Sequence, residues 1–136
     1  MRFLSIILGC CLLSGCSGGT AEDMPEVAPV TGKVTLDGNS LKGVMIRFEP
    51  IEGGRSSLAT SDDEGNYVLE YNSNTPGAKI GEHRVILSTF QEPSDNEQGE
   101  FIPGRKEEIP KKYAATDILK VQVKPDDNTI DLELTK

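Results

Sequence analysis

Few residues in this 136-residue chain are of types that do chemistry. His83 is the only histidine. A general base or metal ligand needs partners that the fold places beside it. His83 shares its parity with Val85 and Leu87, so it is expected to face the core or the sandwich rim as a packed, hydrogen-bonded side chain. Asp62-Asp63-Glu64-Gly65-Asn66 offers oxygens that suit Ca²⁺. It lacks the alternating acids and the closing glutamate of a calcium loop, and Asp and Asn before Gly also serve a turn. Asp126-Asp127-Asn128 follows Pro125 and reads as a turn in the same way. Phe90, Phe101 and Tyr113 border a long polar stretch and would form a possible interaction loop. Sugar stacking there is disfavoured, because aromatic residues are only 5% of the chain and tryptophan is absent. No phosphate loop or histidine-rich motif occurs. No catalytic residue, metal site or cofactor is expected. A hydrolase built on paired carboxylates is the least favoured reading, because so small a domain offers no obvious cleft.

The remaining reactive group is a cysteine thiol. Cys10, Cys11 and Cys16 are the only cysteines, and Leu13-Ser14-Gly15 leads into Cys16. Arg2 is the only charge before Glu22, and residues 3–13 are mostly apolar. That run is too short to cross roughly 30 Å of hydrocarbon, which takes about 20 helical residues. A positive start, a short apolar run and small residues before a break describe a secretory signal. The Leu-Ser-Gly-Cys tetrad resembles the lipobox of bacterial lipoproteins. The resemblance implies cleavage after Gly15, lipidation of Cys16 and display in the bacterial cell envelope. Ser17 stands where aspartate would imply retention at the inner membrane, so the outer membrane is favoured. Cys10, preceded by Ile7-Leu8-Gly9, is the weaker candidate because its apolar lead is very short.

Cleavage there leaves 121 residues without a disulfide, a thiol nucleophile or a cysteine metal ligand. The formal charge of −8 becomes −9 once Arg2 leaves. Such a chain lacks the basic face that nucleic acid demands and is poorly suited to docking on anionic lipid. The expected membrane partner is therefore reached through the anchor on Cys16 alone.

The elements that must carry these residues are strands. Residues 16–29 read as the lipidated cysteine and a polar tether, and 30–136 as one domain. In 30–48, Val30, Val34 and Leu36 alternate with Thr31, Lys33 and Thr35. Asp37-Gly38-Asn39-Ser40 is a turn, and Val44, Ile46 and Phe48 resume the apolar parity, which predicts an opening hairpin. Further strands are expected over 56–60, 67–71, 81–89 and 119–123, with a closing hairpin that ends on Ile130, Leu132 and Leu134. Residues 92–106 carry charge, Gly and Pro without alternation and are expected to be the least ordered part. No window has a helical period. About seven short strands imply an antiparallel β-sandwich, prealbumin-like or immunoglobulin-like, with Val34, Ile46, Phe48, Leu69, Val85, Leu87, Val121 and Leu132 in its core.

Several motifs in this order carry a family resemblance. They are Thr31-Gly32-Lys33-Val34, Asp37-Gly38, Leu41-Lys42-Gly43-Val44 with Ile46 and Phe48, Asp62 to Tyr67 with Leu69, and Gly81 with Val85 and Leu87. Together they resemble a transthyretin-like, carboxypeptidase regulatory-like domain spanning 30–136. The chain departs from that pattern at His83, where tyrosine is usual, and at Glu64, where aspartate is usual. The resemblance implies a non-catalytic accessory sandwich with a structural or protein-interaction role. The alternative is a small-ligand or glycan carrier using residues 90–113. The partner, an envelope protein or a glycan, stays open.

Overall fold

The structure is a computed structural model that describes residues 24–114 and 119–136. Cys16, the signal segment and most of the tether lie outside the described residues. The fold is an all-β sandwich. One sheet has six strands, in the order Lys120–Val123, Gly81–Ser88, Met45–Pro50, Ser57–Thr60, Glu70–Asn72 and Thr75–Pro76. The second is built around Val30–Leu36. Asn39–Ser40 and Asn66–Val68 run antiparallel to it, while Asn128–Thr129 and Leu132–Leu134 run parallel to it. Among the described residues this parallel pairing departs from an antiparallel sandwich.

The expected apolar parity is the one that folds. Val34, Ile46, Phe48, Leu69, Val85, Leu87 and Leu132 are buried. Val121 differs. It is half-buried because it sits in an edge strand, and Val123 of the same strand is fully buried instead. Tyr67 and His83 tilt against Phe48, with ring centroids at 6.4 and 5.8 Å.

Both expected hairpins are corrected. Val30–Leu36 does not pair with Met45–Pro50. Asp37 (φ 50°) and Gly38 (φ 81°) form a two-residue turn that folds Asn39–Ser40 back onto Leu36 and Thr35. Positive φ at both turn positions matches the twist of the flanking strands, which is why Asp-Gly suits this hairpin. The chain then crosses to the other sheet. Ser61 Oγ staples the crossing, donating to the Leu41 carbonyl (2.7 Å) and accepting the Val44 N–H (2.9 Å). At the chain end, Lys120–Val123 pairs with Gly81–Ser88, whereas Leu132–Leu134 joins the opposite sheet. Buried Asn128 holds that corner. Its Oδ1 accepts the Lys124 N–H (2.9 Å), and its Nδ2 lies within 3.1 Å of the Pro29, Lys124 and Asp126 carbonyls. Similarly, the expected strand over 67–71 splits at Leu69 between the two sheets.

The strand system also begins earlier than expected. Val27–Ala28 pairs with Ala78–Lys79, and Ala28 is buried. Residues 27–29 therefore belong to the body and not to the tether. Ala78 and Lys79 lie in a stretch expected to be loop, where Gly77 lets the Ala28 carbonyl approach. A Cβ there would meet that oxygen at 2.1 Å.

One contact ties the second sheet together. Gly32 pairs with Tyr67, and the phenol reaches under Gly32 to donate to the Ile130 carbonyl on the far side. Burial, with the Asp131 carboxylate adding, holds the Tyr67 proton well above the ordinary phenol range. A Cβ on Gly32 would meet the Ile130 oxygen at 1.9 Å and the Tyr67 ring at 2.8 Å. Gly32→Ala should therefore destabilise the domain by about 1–3 kcal/mol, the usual cost of overpacking. The urea midpoint should fall while the slope stays constant. An unchanged midpoint would show that Ile130 and Tyr67 yield without cost.

Candidate functional site

The candidate site lies at the end of Gly81–Ser88, where the sequence predicts the least ordered part of the body and the chain builds an arm. Gln91 and Arg105 close its base with two backbone hydrogen bonds, of 2.9 and 2.8 Å. Ser94–Asp95 pairs with Phe101–Ile102. The tip turns through residues 96–99. Asn96 Oδ1 accepts the Gln98 and Glu100 N–H groups at 3.0 and 2.8 Å, and Gly99 takes a φ of 77°. Such short strands have no apolar alternation to read. A side-chain acceptor at the tip and polar contacts at the base hold the arm instead, and hydropathy does not register them.

Glu107 is the centre of the base. Its Oε1 accepts the N–H groups of Thr89 (2.8 Å) and Ile109 (3.1 Å), and its Oε2 accepts the Ser88 hydroxyl (2.6 Å). The buried Thr89 hydroxyl lies 3.0 Å from the same carboxylate and accepts the Glu108 N–H at 2.6 Å. Arg105 braces the other side. It donates to Glu108 through both Nε and a terminal nitrogen, and to the Lys42 carbonyl at 2.7 Å. Phe90, just before the base, and Phe101 and Ile102, beyond it, are exposed, Phe101 by 69%.

The three aromatics proposed from sequence do not come together as a platform. Tyr113 sits in a one-turn 3₁₀ helix, Lys111–Tyr113, packed against the core. Its hydroxyl accepts the Thr135 N–H at 3.0 Å, and Lys112 Nζ stands 5.3 Å from its ring centre. The Thr135 hydroxyl and N–H together hold the phenol below its ordinary pKa. Tyr113 therefore anchors the chain end, and of the three only Phe101 belongs to the arm, with Phe90 just before its base.

The other candidates resolve as structure. His83 is fully buried, and its Nε2 donates to the Lys79 carbonyl at 2.6 Å. Asp62 Oδ1 accepts the Glu64 and Asn66 N–H groups, both at 2.9 Å, which makes the acidic stretch a side-chain-capped turn. Among the described residues no three His, Cys, Asp or Glu side chains gather as metal ligands. No helix among them is long and apolar enough to cross a membrane.

The sequence reading missed a groove of about 830 Å³ on the outer face of the six-stranded sheet. Met45, Arg47, Leu58, Val68 and Ile86 line it together with Ser88, three residues before the arm begins. The signal that would have found it is apolar residues on the outward parity, namely Met45, Leu58 and Ile86.

Protonation of Glu107 gives a test of the base. Burial pushes its pKa up, but the hydrogen bonds from Ser88, Thr89 and Ile109 outweigh this and hold it at about 2, below its ordinary 4.5. The folded value is the lower one, so the stabilisation is fully present above pH 4.5 and is lost as the pH falls through about 2. Amide protection at Thr89 and Ile109 should be constant down to about pH 4.5 and should then decline. In Glu107→Gln it should be lower throughout and should not show this acid step. An identical acid step in that variant would remove Glu107 as its cause.

No family model matches the sequence, and no curated protein matches it. Among solved structures, the chain is similar to the crystal structure of BcpA, the major pilin subunit of Bacillus cereus. The identity is 14% and the TM-score 0.45, over 82% of this chain. The chain spans 30% of that pilin's length.

Proposed function

We propose that the protein is a lipid-anchored, non-catalytic β-sandwich of the bacterial cell envelope that uses the arm at residues 91–105 as an interaction surface. The observation that carries this reading is the position of the arm. Val27–Ala28 pairs beside the start of Gly81–Ser88, and the arm leaves from its end. Eight residues of strand separate the two poles by roughly 23 Å. An anchor on Cys16 would hold one pole near the bilayer, and the opposite pole carries the exposed Phe101 and Ile102 on a braced hairpin. A pre-folded arm binds without first having to be ordered, which favours recognition. The alternative, a small-ligand or glycan carrier built on Phe90, Phe101 and Tyr113, has less support because Tyr113 is committed to Thr135.

Two measurements test this. Each buried acyl methylene adds roughly 0.8 kcal/mol of membrane affinity, so two or three chains hold a protein durably. Cys16→Ser should therefore shift the protein from the membrane to the soluble fraction. Retention after a high-salt wash would place the anchor elsewhere. A photocrosslinking residue at position 101 should give protein adducts in intact cells, and one at exposed Lys33 should give none. The absence of adducts at 101 would overturn the arm's role.

A further inference from the structure

We infer that the arm's partner is a second copy of this chain, with Phe101 and Ile102 of each copy seated in the outer-face groove of the other. This inference rests on the reading of the arm as an interaction surface. The groove exposes apolar side chains where a sheet face would ordinarily be polar. Met45 is 50% exposed, Leu58 58% and Val68 57%. Apolar side chains grouped in a concave surface give an apolar partner side chain a place to dock. The arm's own apolar pair is exposed too, so it does not fill the groove of its own chain.

The two surfaces match in place, and one cation of the groove can meet the arm's acids. Ser88 borders the groove and the arm leaves the strand just beyond it, so both lie at the same pole. Two copies anchored to one membrane would present arm and groove at the same height. Each copy brings one arm and one groove, so the exchange is reciprocal about a two-fold axis and closes on itself. Residues 92–104 carry Glu92, Asp95, Glu97 and Glu100 and no cation. Arg47 is the cation lining the groove, between Ile86 and Leu58 in the cross-strand row. Its own contact with Glu49 is a loose 3.6 Å pair on the surface, which leaves it free to meet the arm's carboxylates. Asp62 and Glu70 also line the groove, so the arm's carboxylates are expected to pair with Arg47 specifically, the Asp62 Oδ1 being taken up by the Glu64 and Asn66 N–H groups and Glu70 lying across Leu58 from Arg47.

All three cysteines lie at or before Cys16, so engineered thiols in the body have no competitors there. Full-length Phe101→Cys and Leu58→Cys variants, co-expressed and oxidised in cells, should give a mixed disulfide that Leu58→Cys alone does not give. The mature Cys16→Ser protein should show a monomer–dimer equilibrium by sedimentation. Phe101→Ser or Arg47→Glu should weaken it by about tenfold or more, the effect of losing one buried anchor. No mixed disulfide in cells, together with a monomer at every concentration, would overturn the inference. So would an intramolecular disulfide in a monomeric Phe101→Cys/Leu58→Cys double variant, because the arm would then cover its own groove. Adducts from position 101 to a different envelope protein, without the mixed disulfide, would overturn the pairing and leave the proposed function standing.

Discussion

The second sheet depends on a missing side chain. Gly32 leaves the space through which the Tyr67 phenol passes from one neighbouring strand to the Ile130 carbonyl on the other. Three segments far apart in the chain are thereby joined at one point. At the same level the ladder is irregular. Asn128–Thr129 and Leu132–Leu134 are separate strands, and between them the Asp131 carboxylate accepts the Lys33 N–H at 3.0 Å. A side chain replaces a ladder bond there, and Tyr67 caps the carbonyl that the irregularity leaves over. A buried carbonyl without a donor would carry a desolvation cost of about 1–3 kcal/mol, and the phenol removes it.

The same device recurs at three other irregular points of the chain. Ser61 fastens the crossing near Val44, Asn128 the corner near Pro29, and Glu107 the departure of the arm. Each is a polar side chain satisfying backbone groups that no strand partner reaches. The described body contains no cysteine, so its crossings rely on these contacts and on the core between the sheets. The arm follows from this logic. It needs no apolar face of its own, because Glu107 and Arg105 fix its two ends and Asn96 fixes its tip. Its apolar side chains are then left for contact with something else.

Much of the fold was legible in the sequence, because burial in a strand follows parity. Val34, Phe48 and Val85 face inward as their alternation requires. Parity fixes the face a residue shows, however, and not the strand beside it. Val30–Leu36 and Met45–Pro50 have the alternation of a hairpin and lie in different sheets, and Tyr67 and Tyr71 share a parity across a sheet change at Leu69. Sheet crossings are held by hydroxyls, amides and carboxylates, which look the same as solvated polar residues in a linear reading. His83 was legible by its parity, and the Asp62 turn because its capping is local. The groove was hidden because Met45, Leu58 and Ile86 come from three strands, and each alone is an ordinary exposed apolar residue.

The parallel pairing of the first long strand with the last also has a mechanical consequence. Val30–Leu36 and Leu132–Leu134 run in the same direction, so the two chain ends leave from opposite poles. Tension between them acts along the strands. Under that geometry the hydrogen bonds between Val34–Leu36 and Leu132–Leu134 are strained together and must fail together. Had the two strands been antiparallel, the same pull would have opened the bonds one after another like a zipper. The order of strands thus makes this small domain stiff toward stretching from end to end.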